Sequence, residues 1–283
     1  VMVWRFDAIG TRWEIETAQP LSDDAAAAVT NTIDRFDSEW SRFRPDSVVS
    51  ALRTAGGAVS APADASAMLD VYRALSDATG GAVNPLVGAG LEALGYDAAL
   101  SLHATTQREA PAEWERMLRW TASELTLLEP AVIDVGALGK GRLVDLVMNE
   151  LGEIPGRIVV DASGDLRVRR GATRVALEHP YDATSAIGVV EIADQALCAS
   201  AINRRAWGDG LHHVLDARSG EPVRTCAATW AIADEAMIAD AIATALFFDG
   251  GAVLADDWGV QWLRMSTDGR AERSRGFPGE LFL

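Results

Sequence analysis

Asp240 and Thr244 stand four residues apart in the run Ala239–Asp–Ala–Ile–Ala–Thr244. On a helix that spacing projects both side chains from one face. A carboxylate and a hydroxyl there are two hard oxygen donors of the kind Mg²⁺ prefers, and phosphate oxygens commonly complete its shell. A second segment, Asp134–Val–Gly–Ala–Leu–Gly–Lys140–Gly141, is rich in glycine and carries one Lys. Such a loop can receive phosphates on backbone N–H groups and an ammonium. Together the two segments point to metal-assisted chemistry on a phosphate ester or anhydride. The plain alternative for the first pair is a solvated Asp and a Thr bonded back to its own turn.

His213 is the candidate proton acceptor, because imidazole titrates near neutrality. It could instead hydrogen-bond a phosphate or ring, or simply fill a strand position. His212, its neighbour, is expected on the opposite face of a strand and in a structural role. Phe43 offers a stacking surface for a heteroaromatic ring and could equally anchor the end of the first helix in the core.

The elements that must position these residues are legible from periodicity. A strand spans residues 3–17, broken at Gly10–Thr11. Ser22–Asp23–Asp24 start a helix whose apolar positions run through Val29, Ile33 and Phe36 to Trp40. A second helix covers about 66–79, with Leu69, Tyr72 and Leu75 on one face and Gly80–Gly81 as its stop. Residues 82–110 show weak periodicity and several turn signals. Strands are expected near 117–121, 124–128 and 131–135, then a helix from the 134–141 loop to Gly152. The C-terminal half reads as strands at 157–161, 166–169, 174–178, 187–193 and 226–233, a strand running into a turn over 214–220, a helix at 235–248, and a last strand at 260–265. Strands and helices in irregular order imply an α+β fold with mixed or antiparallel sheets and packed helices, in one domain over residues 1–283.

Composition bounds the class. The chain has 49% hydrophobic and 23% charged residues, which is globular, and a net charge of −16. That charge excludes a non-specific nucleic-acid binder and requires an anionic substrate to be met by a local site. The nine Trp residues are scattered and read as packing. No run of about 18 apolar residues is present, so no membrane span is expected. The first residues, Val1–Met–Val–Trp–Arg–Phe–Asp7, enter strand-like alternation without a signal-peptide pattern. The expected location is the cytoplasm, or an extracytoplasmic compartment if a leader once preceded residue 1. Cys198 and Cys226 have no metal-ligand spacing and are compatible with one disulfide or with two small buried side chains.

The order of motifs resembles that of the FAD:protein FMN transferases, the ApbE-like flavin transferases, over nearly the whole chain. Gly10–Thr11 is similar to the family's Met-Gly-Thr, with Ile9 in place of Met. Ser41–Arg–Phe43 to Asp46–Ser47 resembles Ser-x-aromatic…Asp-Ser, and Gly81–Ala–Val–Asn84–Pro85 resembles Gly-Ala-Phe-Asp-Pro. Asp134 to Gly141 resembles Asp-Leu-Gly-Gly-Ile-Ala-Lys-Gly. Asp161–Ala–Ser–Gly164–Asp165 resembles Asn-Ala-Gly-Gly-Asp. His212–His213 to Pro222 resembles His-Ile-Ile-Asp-Pro-Arg-Thr-Gly-x-Pro, and Ala239–Asp240 to Leu246 resembles Ala-Asp-x-x-Ala-Thr-Ala-Leu. Cys198–Ala–Ser–Ala–Ile–Asn203 departs from the family's Ala-Thr-Ser-Gly-x-Tyr.

The resemblance implies an ApbE-like (T-fold-like) architecture and a defined reaction. FAD is split at its pyrophosphate with one or two Mg²⁺ ions. FMN passes to a Thr or Ser hydroxyl of an acceptor flavoprotein, and AMP leaves. It implies metal ligation by Asp240, Thr244 and the carbonyl of Ala137. It implies cofactor contacts from Ile9, Phe43, Ala82, Val83, Asn84, Lys140, Asp165 and His213, with His213 also catalytic. Ser163–Gly164–Asp165 could equally be a bare hairpin turn. FAD hydrolysis to FMN and AMP, or FAD binding without chemistry, are the alternative activities. Asp182–Ala–Thr184–Ser185–Ala186 loosely resembles the Asp-Gly-x-Thr/Ser-Ala-Thr acceptor sequence but lacks its final hydroxyl residue, and reads as a turn between strands.

Overall fold

The computed structural model describes residues 1–203, 206–208 and 210–282. Its frame is an eight-stranded sheet. The strand order is Met2–Ala8, Thr11–Thr17, Ile158–Asp161, Asp165–Arg169, Ala196–Ala201, Cys226–Ala233, Gln261–Ser266 and Ala271–Arg273, with every neighbouring pair antiparallel. Helices cover one face. They are α1 (Asp23–Trp40), α2 (Val48–Leu52), α3 (Ala65–Thr79), α4 (Gly88–Ala93), α5 (Trp114–Met117), α6 (Gly139–Glu150), α7 (Ala236–Ala245) and α8 (Gly251–Asp257). A three-stranded sheet of Ala172–His179, Asp182–Ala193 and Glu280–Leu281 covers the other face.

This layering explains the strand Cys226–Ala233, all of whose residues are buried. Ala231 and Ala233 enter the core under the helices, while Ala228, Trp230 and Ile232 enter the core between the sheets. The α1 stripe is the expected one: Val29, Ile33, Phe36 and Trp40 are buried, and Ser22 caps the helix by accepting from the Ala25 N–H at 3.2 Å. Helix α3 ends where Gly80 adopts φ 60°.

Several elements differ from the sequence reading. The chain at 131–135 is not a strand: Val132, Ile133 and Val135 are buried as an irregular segment, and the Asp134 N–H donates to Pro85 O at 2.8 Å. Apolar β-branched content fits a strand or a buried loop equally, and here no strand runs alongside to form a ladder. The stretch 82–110 contains α4, and α2, α5 and α8 are short helices that carry too few residues for a period to show. Asp182 to Ala186 is not a turn but the start of the strand Asp182–Ala193, with the turn at Pro180–Tyr181. The segment 214–220 is the expected strand running into a turn, with Leu215–Asp216 paired to Glu221–Pro222 across it. Both cysteines are free and buried, in different strands, so no disulfide forms. No described helix is long and apolar enough to cross a membrane.

Candidate active site

A cavity of about 760 Å³ opens between the helical layer and the sheet, a volume suited to a large small-molecule ligand. Nine of the residues singled out from sequence line it: Ile9, Phe43, Ala82, Val83, Asn84, Ala137, Lys140, His213 and Thr244. They come from the first hairpin, the end of α1, the loop after α3, the start of α6, the 213–215 segment and the end of α7. Asp165 and Asp240 do not line the cavity. They are buried beside Lys140, whose Nζ lies 2.6 Å from Asp165 Oδ2.

Ile9 occupies the turn of the first hairpin at φ 47°, followed by Gly10 at φ 70°. Two successive residues at positive φ make a turn whose twist suits a hairpin. A β-branched residue there is strained. Phe43 is 38% exposed, so it is a cavity wall rather than a core anchor. Its ring meets Tyr96 edge-on at 5.5 Å, and Tyr96 stacks on Trp207 at 5.7 Å. Asn84 turns its side chain inward, donating from Nδ2 to Pro111 O and accepting the Leu86 N–H. What it presents to the cavity is therefore the shape of the 82–84 backbone.

Helices α6 and α7 cap each other. Asp145 of α6 accepts the N–H groups of Ala236 and Met237 at the start of α7, both at 2.9 Å. Asp240 of α7 accepts the Gly141 N–H near the start of α6 at 2.9 Å. Each helix thereby satisfies donors that the other leaves open. The close approach requires glycine at 141, since an added Cβ would lie 2.2 Å from Ala236 O and 2.6 Å from Asp240 Cβ. Asp240 is not solvated: α7 is buried on nearly every side, and Asp240 is 4% exposed. Lys140 at a helix start opposes the macrodipole. Burial alone would pull its pKa down, but the Asp165 and Asp240 carboxylates outweigh that and hold it above the usual 10.5. Burial, and then Asp165, push the Asp240 carboxyl well above its ordinary range.

The Thr244 hydroxyl donates to Ala137 O at 3.1 Å at the cavity edge. Adjacent ligands on an octahedral Mg²⁺, each bonded at 2.0–2.1 Å, lie about 2.9 Å apart, so this pair of oxygens matches one edge of such a shell. Asp165 and Asp240 face one ammonium here, and a divalent cation beside them would favour the ionised Asp240 that burial and Asp165 otherwise disfavour. Among the described residues no group of three or more His, Cys, Asp or Glu forms a metal cluster. The oxygen donors at the cavity wall are the Ala137 carbonyl and the Thr244 hydroxyl, with the buried Asp240 carboxyl one helical turn before Thr244 on α7.

The strand expectation for the adjacent histidines holds in its outcome. The buried His212 ring bonds Val223 O through Nε2 at 2.8 Å and accepts the Val214 N–H at Nδ1, while His213 lines the cavity. The loop Asp161 to Asp165 is the hairpin turn between two sheet strands, with Ser163 at φ 57° and Gly164 at φ 107°.

Among the cavity residues not singled out as site residues are Arg42, Tyr72 and Tyr96. Arg42, in the unspecified position of Ser-x-aromatic, donates from Nε to Asp134 Oδ2 at 2.5 Å and lies over the Phe43 ring at 4.1 Å. Tyr72 reads from periodicity as a core residue of α3, and Tyr96 lies in the weakly periodic stretch. Only the motif neighbourhood of Arg42 carried a signal.

An α+β enzyme-like cleft with a carbonyl–hydroxyl edge and a buried charge cluster is the class this fold and site define. A match to the ApbE family runs over residues 9–262, and the chain belongs to that family. A FAD:protein FMN transferase from Rhodobacter capsulatus is 27% identical over 280 aligned positions, covering 89% of this chain and 51% of the relative. The chain therefore spans about half the length of that curated relative. The fold matches the ApbE protein of Thermotoga maritima with a TM-score of 0.84 at 22% identity, covering 99% of each chain. It matches the flavinyl transferase ApbE of Pseudomonas stutzeri in its apo form with a TM-score of 0.81 at 19% identity, covering 98% of this chain and 95% of that one.

Proposed function

We propose that this protein is a Mg²⁺-dependent FAD:protein FMN transferase. The observation that carries the reading is the convergence of nine residues from six segments of the chain on one cavity, with the Ala137–Thr244 oxygen edge at its wall. Phe43, Ile9 and the 82–84 backbone would hold the rings of FAD, and Lys140 a polar edge or phosphate. Ala137 O, Thr244 Oγ1 and Asp240 would hold Mg²⁺. When bound, the ion neutralises charge that develops on the phosphates and the leaving AMP.

In this reading the acceptor's Thr or Ser oxygen attacks the FMN phosphorus. A P–O bond to phosphorus forms, the P–O bond of the anhydride breaks, and AMP departs with the bridging oxygen. His213 takes the hydroxyl proton as the attack proceeds. The low position of charge in the whole chain does not oppose FAD, because Lys140 and the metal ligands act locally.

The test is chromatography of FAD incubated with the protein and Mg²⁺, with and without an acceptor peptide carrying the Asp-Gly-x-Thr/Ser-Ala-Thr pattern. AMP release together with FMN covalently on the peptide supports transfer. Equal release of free FMN and AMP without acceptor means a pyrophosphatase, and intact bound FAD means a binding protein.

A further inference from the structure

Tyr72 is 1% exposed and sits among Met68, Leu69 and Leu75 on the buried face of α3. Phenylalanine would fill that core position equally well. The hydroxyl instead makes two bonds, both to one loop. It donates to Asp134 O at 3.0 Å and accepts the Ala137 N–H at 3.2 Å. Burying a hydroxyl costs stability unless its bonds are made, and here every bond is spent on residues 134 and 137.

The consequence falls on one peptide group. The Ala137 N–H is held by Tyr72, and the Ala137 carbonyl accepts from Thr244 at 3.1 Å. The other end of the loop is pinned by Asp134, whose carboxylate accepts from Arg42 Nε at 2.5 Å and from the Gly136 N–H at 2.7 Å. Without the Tyr72 hydroxyl, Ala137 keeps no partner on its N–H among these, and the direction of its carbonyl is no longer set from both sides.

We propose that Tyr72 is a positioning residue for the metal site, fixing the Ala137 carbonyl for a small octahedral cation; this rests on the Mg²⁺ reading of the cavity. Magnesium demands near-ideal octahedral geometry, whereas calcium accepts irregular shells of oxygen. A misdirected carbonyl therefore penalises Mg²⁺ much more than Ca²⁺. That difference separates positioning from a general loosening of the fold.

The experiment is competition of Mg²⁺ and Ca²⁺ against Mn²⁺, followed by electron paramagnetic resonance, on the wild-type protein and Tyr72→Phe. Flavin fluorescence with EDTA gives FAD affinity in parallel. The expected result is a loss of Mg²⁺ affinity of about tenfold or more, as for other residues that orient metal ligands. Ca²⁺ affinity changes less than threefold and metal-free FAD affinity less than twofold. Equal losses for Mg²⁺ and Ca²⁺, or no loss of either, overturn the proposal while wild-type Mg²⁺ binding stands. Should Tyr72→Phe fold poorly, Tyr72→Leu, which also lacks the hydroxyl, supplies the same comparison. A wild-type protein that binds no divalent cation overturns the metal reading itself, and this inference with it.

Discussion

Gly141→Ala tests how tightly the two helices bearing the candidate metal and phosphate residues are joined. The new Cβ would sit 2.2 Å from Ala236 O, 2.6 Å from Asp240 Cβ and 2.7 Å from Ala236 C. Two of those three atoms are backbone, so no side-chain rotation relieves the clash, and α6 and α7 must separate. Overpacking of this kind costs about 1–3 kcal/mol. Separation also stretches the 2.9 Å bond from the Gly141 N–H to Asp240, and such a bond contributes about 0.5–1.5 kcal/mol. The higher helix propensity of Ala returns about 1 kcal/mol. The net expectation is a loss of about 2 kcal/mol. At ~2 °C per kcal/mol for a chain of this size, Tm falls by about 4 °C. Calorimetry gives the Tm, and FAD cleavage measured at a temperature where the variant is folded gives the site effect, which should exceed tenfold because Asp240 moves with α7. An unchanged or raised Tm would refute the packing argument. A lowered Tm with full activity would separate the helix junction from the chemistry.

Other perturbations probe other parts. Ile9→Asn places a residue suited to positive φ before Gly10 and should stabilise the hairpin by roughly 1 kcal/mol in urea unfolding, while weakening FAD binding through loss of an apolar wall. Asp145→Ala leaves the N–H groups of Ala236 and Met237 and the Arg167 guanidinium without their acceptor, and should cost about 3 kcal/mol by the same assay. Burial, against a bond to Val223 O that favours the charged form, holds His212 below its ordinary 6.5. The unfolded chain then binds more protons than the folded one, so stability should fall as pH drops below about 6.5 and through the folded-state pKa. His212→Gln should flatten that slope in pH-dependent melts. His213→Ala should abolish transfer to an acceptor with FAD affinity kept; a large loss of affinity with transfer intact at saturating FAD would make it an orienting residue instead.

The parts of this molecule that sequence made legible share a physical property: their signal is local. The α1 stripe from Val29 to Trp40 and the Gly80 stop of α3 are written in neighbouring residues. The pairing of Asp240 with Thr244 is a spacing of one helical turn. Motif order then brought nine cavity residues together without reference to long-range contacts. What stayed hidden depends on partners distant in the chain. Tyr72 gains its role from a loop more than sixty positions away, and Arg42 from Asp134, ninety-two positions away. Neither has a local signature that distinguishes it from a core tyrosine or a surface arginine. The burial of Asp240 was not legible because its own helix shows apolar positions enough for one stripe, whereas α7 is enclosed by the sheet, α3 and α6 together. The 131–135 segment failed for the converse reason, since strand-like composition forms a strand only where a neighbouring edge is free to pair.

Transfer of FMN to protein leaves a covalent mark that intact mass spectrometry reads without any further step. An acceptor flavoprotein bearing the Thr/Ser motif is incubated with this protein, FAD and Mg²⁺, and then denatured to strip bound flavin. The expected outcome is an added mass of one FMN on the motif's Thr or Ser, lost when that residue is Ala or when the protein carries Asp240→Ala. An acceptor of unchanged mass in a reaction that consumes FAD to free FMN and AMP would contradict it.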